Sequence, residues 1–261
     1  MGKTESLNAR PAHITEAEWE VRLQLAATYH LFDYLGWTEG IFNHISARVP
    51  GPERHFLMNP YGLHYAEVTA SNLVKVDIHG ANVEPGPYKG NVAGFAIHGA
   101  IHEHRDDAHC VIHTHTTAGA VVAGKEGGLR NDNFNSALLT GLVAYHDFEG
   151  VTVRSDERPR LVKSLGTKNY LILRNHGLCA IGPNIPQAVR NYWNLQRACE
   201  IQVASDAAGG ADRVLTPAVR QQAMLDSKKF DESGTTARLF FDGMLRRMEI
   251  DRSRAWVDYR T

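Results

Sequence analysis

The chain has almost no net charge: 28 Lys and Arg stand against 29 Asp and Glu, a formal −1. That balance leaves no electrostatic footprint for a nucleic acid or an anionic membrane, and neither is expected as a partner. Long apolar runs are missing too. No stretch approaches the roughly 18 apolar residues that a membrane-spanning helix needs. The opening residues, Met1-Gly-Lys-Thr-Glu-Ser6, lack the apolar core of a secretory signal, so a cytoplasmic protein is expected. Cysteine is scarce and odd in number. Cys110, Cys179 and Cys199 each sit in an apolar segment and read as buried thiols in a reducing compartment, not as a disulfide framework. No internal repeat and no linker is visible, and 261 residues suit one large domain or one domain with appended helices.

What is present divides into short strands and helices. Residues 1–14 read as a flexible arm, 15–210 as the main domain and 211–261 as a helical C-terminal extension packed on it. Thr15-Glu-Ala-Glu18 is a capping box, and Leu23, Ala27, Leu31 and Tyr34 follow at helical spacing until Gly36. Strands are expected over 43–49 and 55–59, and a hairpin over 74–84. Ala93, Ile97, Ala100 and Ile101 mark a helix to about His104. Strands follow at 110–115 and 170–173, with a short helix over 158–165 before the last, and 143–150 reads as a strand leading into a loop. Residues 124–136 are polar and Gly-rich and read as a loop with short local structure. From Pro186 a long helix buries Ala188, Tyr192, Leu195, Cys199 and Val203, and Gly209-Gly210 ends it. Strands interleaved with helices indicate a central sheet with helices on its faces.

Two segments carry chemistry. In Cys110-Val-Ile-His113-Thr-His115 a strand places His113 and His115 on one face. Two adjacent imidazoles repel when protonated and otherwise need polar partners, which ordinary hydrogen bonds or a divalent metal can provide. Tyr170-Leu-Ile-Leu173 runs into Arg174-Asn-His176-Gly177, so a third imidazole stands where another strand breaks. Two ligands from one strand and one from the end of another leave an open coordination position, the pattern of a catalytic metal.

At these segments the chain closely resembles the class II aldolase/adducin family. Asn43-His-Ile-Ser-Ala-Arg-Val49, Pro60-Tyr-Gly62-Leu, Glu67-Val-Thr-Ala-Ser71, His113-Thr-His-Thr116, Ala144-Tyr-His-Asp147, Leu173-Arg-Asn-His-Gly-Leu178 and Ala198-Cys-Glu-Ile-Gln-Val203 carry the resemblance, in order, over about residues 18–210. It implies a three-layer α/β/α fold around a mainly antiparallel sheet. It also implies a homotetramer with sites at subunit interfaces and a small-molecule substrate. The implied cofactor is a divalent metal, zinc first, with manganese or iron as alternatives, held by His113, His115 and His176. Such a metal grips the hydroxyl and carbonyl oxygens of the substrate and stabilises the enolate left when a carbon–carbon bond breaks.

The chain departs from the sugar-phosphate aldolases where those carry Ser-Ser-Glu, two phosphate-binding serines and a general base. Here the positions are Val92, Ala93 and Gly94, and none offers a side-chain proton acceptor or donor. The expected function is therefore aldolase- or decarboxylase-type cleavage of an unphosphorylated hydroxy or keto compound. Candidate acid–base residues are His98, Tyr145 and His146, with Glu149 expected to face solvent. His98 reads equally as a packed helix histidine, and Tyr145 and His146 as interface hydrogen-bonders. Asn43 and Gly62 are the expected substrate-binding residues, Asn43 otherwise serving as a turn former. The alternatives are a non-catalytic adducin-like interaction module, or an iron-dependent oxygenase on the same three histidines.

Overall fold

In the computed structural model, residues 10–150, 155–251 and 258–261 are described. The elements, in chain order, are α1 (Glu16–Tyr34), β1 (His44–Arg48), β2 (Phe56–Met58), β3 (Val74–Val76), α2 (Val92–His104), β4 (Cys110–Thr114), α3 (Thr117–Ala123) and α4 (Phe134–Ala137). They continue with β5 (Val143–His146), α5 (Arg158–Leu165), β6 (Tyr170–Leu173), β7 (Gly177–Gly182), α6 (Ile185–Ala208), α7 (Pro217–Phe230) and α8 (Thr235–Ile250). The seven strands form one sheet in the order β3-β2-β1-β4-β7-β6-β5. Among the described strands, the β5–β6 pair is parallel and the other pairs are antiparallel.

Side-chain alternation sorts the two faces. Cys110 and Ile112 of β4 join a core cluster with Leu25 and Phe32 of α1, Leu195 of α6 and Phe241 of α8. Val111, between them, joins Ile97 and Ile101 of α2 and Leu161 and Leu165 of α5 on the other face. The expected three-layer α/β/α architecture with a mainly antiparallel sheet is therefore the observed one. Thr15 caps α1 by accepting the Glu18 N–H at 3.2 Å, one half of the expected capping box, while the Glu18 carboxylate pairs with Arg22 and Lys75.

The structure alters or adds to this layout in three places. The arm at 1–14 falls mostly on residues 1–9, outside the described ones, and Ile14 is in the core. Helix α3 follows β4 directly, ahead of the expected loop at 124–136, and that loop ends in the four-residue α4; each helix is started by a side-chain cap, Thr116 and Asn133. The segment after His176 is a strand, β7, paired on both sides by β4 and β6. Its sequence, Gly-Leu-Cys-Ala-Ile-Gly, is bracketed by glycines that mimic a turn, but both strand faces are buried and need no polar alternation.

Candidate metal centre

The register of three adjacent strands assembles the site. His113 lies opposite His44 of β1 and Cys179 of β7. His115 leaves β4 one residue beyond the strand, and His176 sits in the tight β6–β7 turn after Asn175, whose φ of 55° is left-handed. The turn fits only because its next residue has no side chain. A Cβ on Gly177 would stand 2.5 Å from the Thr114 carbonyl oxygen and 3.1 Å from the His115 ring.

The three imidazoles converge. His115 Nε2 is 2.9 Å from His113 Nε2 and 3.0 Å from His176 Nε2. One nitrogen of each of the three lies within 4.8 Å of the others, a set that could hold a metal ion. His113 Nδ1 lies 2.9 Å from the Leu178 carbonyl oxygen and must donate to it, so its Nε2 is bare and faces the other two rings. Burial, and then the neighbouring imidazoles, hold His113 well below the usual histidine range. Burial, with His115 adding, pushes His176 down to about 4. Burial lowers His115 as well, against the pull of the Glu39 carboxylate. Three neutral rings turn one nitrogen each toward a common point. They suit a cation, since nitrogens of a tetrahedral zinc site stand roughly 3.3 Å apart.

These rings line a cavity of about 530 Å³ with Glu39, Phe42, His44, Asn91, Gly94 and Phe148. Of the other residues singled out in the sequence, Asn43 is buried behind the site. Its Oδ1 accepts the His115 backbone N–H at 3.1 Å and its Nδ2 donates to the Trp37 carbonyl at 3.3 Å. Gly62 lies in an exposed turn with φ of 96° and is not among the residues lining the cavity. The Tyr145 hydroxyl accepts the Leu129 N–H at 3.1 Å, with the Arg174 guanidinium over its ring. His146 is buried between Ser164 and Glu157, at 3.0 and 3.3 Å. Glu149, expected in solvent, is partly covered and paired with Arg160 at 2.8 Å. Neither Tyr145 nor His146 lines the cavity, and His98 reaches it only through His44.

His44 is the residue that sequence reasoning passed over. It lies opposite His113, the ring centroids 5.1 Å apart. Its own ring fills the space above Gly94, where an added Cβ would stand 2.3 Å from His44 Cδ2 and 2.5 Å from Nε2. The side chains of residues 92 and 93 lie outside the described ones. The available signal was a coincidence of periods. Residues 94, 98 and 102 share a helix face and 44 and 46 a strand face, and four of these five are His or Ser.

The sequence model of the Class II Aldolase and Adducin N-terminal domain matches residues 23–203. A Caulobacter vibrioides protein named with the class 2 aldolases is 44% identical over 208 residues, covering 80% of this chain and 81% of that one. Rat alpha-adducin is 46% identical over 199 residues, 75% of this chain but 27% of adducin. The crystal structure of an aldolase II superfamily protein from Pseudomonas syringae superposes with a TM-score of 0.90 at 41% identity, covering 95% of this chain and 98% of the other. Sequence match, fold and layout together make this chain a member of the class II aldolase and adducin N-terminal domain family.

Proposed function

We propose that the chain is a divalent-metal-dependent lyase that cleaves a carbon–carbon bond in a small, unphosphorylated hydroxy or keto compound. The observation that carries this reading is the convergence of His113, His115 and His176 on one point at the floor of a cavity. Zinc is the assigned ion, with manganese and iron as alternatives for the same three nitrogens. When bound, it supplies Lewis-acid stabilisation of negative charge on a substrate oxygen. The chain's own part is to hold three neutral imidazoles in place, His113 through Leu178 and His115 through Asn43, and to shape a cavity sized for a small molecule.

The cavity favours an unphosphorylated substrate. Among the described lining residues none is Lys or Arg, and the carboxylate there is that of Glu39. A phosphate dianion would find no charged partner among them. A homotetramer with sites at subunit boundaries is part of the same reading, supported by Phe42 and Phe148 on the cavity wall, 57% and 53% exposed in the single chain. A cytoplasmic location is supported by three buried free cysteines. No helix among the described residues is long and apolar enough to cross a membrane.

A second reading, a non-catalytic oligomeric module, has the identity to alpha-adducin in its favour. The test is to incubate zinc-loaded protein with a panel of 4-hydroxy-2-keto acids and, in parallel, ketose 1-phosphates, following cleavage by proton NMR. Chelator-sensitive cleavage of an unphosphorylated compound is expected. Preference for the phosphates overturns the substrate class. Protein that retains no metal and cleaves nothing supports the module.

A further inference from the structure

Four side chains run from the cavity wall into the seam between α2 and β1. His44 Nδ1 lies 2.8 Å from His98 Nε2, and His98 Nδ1 lies 2.6 Å from Ser46 Oγ. Ser46 Oγ is 2.7 Å from His102 Nε2, and His102 Nδ1 is 2.8 Å from the Ala108 carbonyl oxygen. His98, Ser46 and His102 are fully buried, and His44 is 4% exposed. The last link fixes the direction of the rest. A carbonyl only accepts, so His102 carries its proton on Nδ1 and leaves Nε2 bare. With every ring neutral, Ser46 then donates to His102 and accepts from His98 Nδ1. His98 Nε2 is left bare and accepts the Nδ1 proton of His44. The remaining nitrogen, His44 Nε2, has no proton and no hydrogen-bond partner among the described residues, and its ring lines the cavity.

We propose that His44 is the proton acceptor of this site, with His98, Ser46 and His102 as positioning residues that hold it in the Nδ1–H form. The proposal rests on the lyase reading. Gly94 is part of the device, because any side chain there would occupy the space of the imidazole. In cleavage, the hydroxyl beside the scissile bond loses its proton to His44 Nε2. The O–H bond breaks, a C=O bond forms, and the carbon–carbon electron pair passes to the carbonyl oxygen of the other fragment. That fragment then regains a proton at carbon from His44. The Ala108 end is closed, since an amide oxygen accepts a hydrogen bond but does not take up the proton. The proton therefore leaves only through the cavity, to substrate or to water there.

Two measurements on the full chain test this. The first is long-range 15N–1H NMR of the metal-free protein, which reads each imidazole tautomer. Nδ1–H forms are expected for His44, His98 and His102, with His44 losing its single form in Ser46→Ala. A His44 proton on Nε2 overturns the proposal. The second is deuterium incorporation into the methyl group of pyruvate, the enolate-derived fragment of a 4-hydroxy-2-keto acid, in D2O by zinc-loaded protein, the reverse of the final proton return. His44→Gln is expected to slow it about 100-fold or more with metal content unchanged. Gly94→Ala, which leaves every polar group in place, is expected to lose as much by displacing the ring, and it stands in should His44→Gln not fold. Wild-type rates in both variants overturn the assignment of His44 alone. Wild-type protein that binds zinc yet exchanges nothing overturns the lyase reading, and the base role with it, whatever the tautomers.

Discussion

His113 on β4 is tied by its Nδ1–H to the carbonyl of Leu178 on β7, 2.9 Å away, so the ladder that builds the sheet also aims one ligand nitrogen. A ligand whose second nitrogen is fixed by a backbone carbonyl keeps both tautomer and ring orientation before any ion arrives.

Replacing His113 separates the ion from the fold. The wild-type protein is expected to carry about one divalent ion per chain, as three-histidine sites do. His113→Gln should retain little metal while the protein still melts cooperatively, destabilised by about 1–3 kcal/mol through the lost buried hydrogen bond. Metal analysis beside a thermal melt distinguishes this from a structural ion, whose loss would abolish the transition.

Asn43 makes a narrower prediction. Its side chain holds the His115 backbone N–H, so Asn43→Ala should weaken metal affinity by about 10- to 100-fold, as losses of ligand-supporting contacts do. Asn43→Asp keeps the accepting oxygen and should bind metal more tightly than Asn43→Ala. Competition with a chromophoric chelator measures both. Equal affinities for the wild type and Asn43→Ala would remove Asn43 from the site's support.

In the metal-free protein, acid should destabilise the fold below about pH 6.5. Burial pushes His102 from 6.5 to about 3, and burial lowers His30 also. Between those limits for His102 the unfolded chain binds the proton and the folded chain does not. Its contribution is thus complete above 6.5 and is lost as pH falls, by up to about 1.4 kcal/mol per pH unit for such a group. Denaturant midpoints at pH 7.5, 6.0 and 5.0 should fall in that order; a flat profile would mean that these rings bind protons as readily in the folded chain as in the unfolded one.

Assembly is expected to depend on the cavity rim. Light scattering should give a mass four times the 29.0 kDa chain for the wild type, and a smaller species for Phe42→Asp or Phe148→Asp. An unchanged mass in both variants would place the interface elsewhere.

Much of this was legible in the sequence, and the gaps have physical causes. The three histidines stood out because strand alternation and a strand end are local patterns. The long helix α6 showed its stripe, its start near Pro186 and its Gly209 end. Strand β7 escaped because a strand buried on both faces has no alternation, and α3 because seven residues containing Gly119 give little helical signal. His146 looked chemical but is held between Ser164 and Glu157. His44 looked like part of a strand. Its environment is made by α2, some fifty residues later, and no window of the sequence contains both.

The contact between Gly94 and His44 constrains how such a protein could have diverged. Position 94 on the helix and position 44 on the strand are rival tenants of one volume, and either can supply an acceptor only if the other yields. Moving that duty from one wall to the other requires a paired exchange. A single step leaves the wall overfilled or bare, so across related chains the two positions should change together, and each pairing should mark a lineage with its own chemistry.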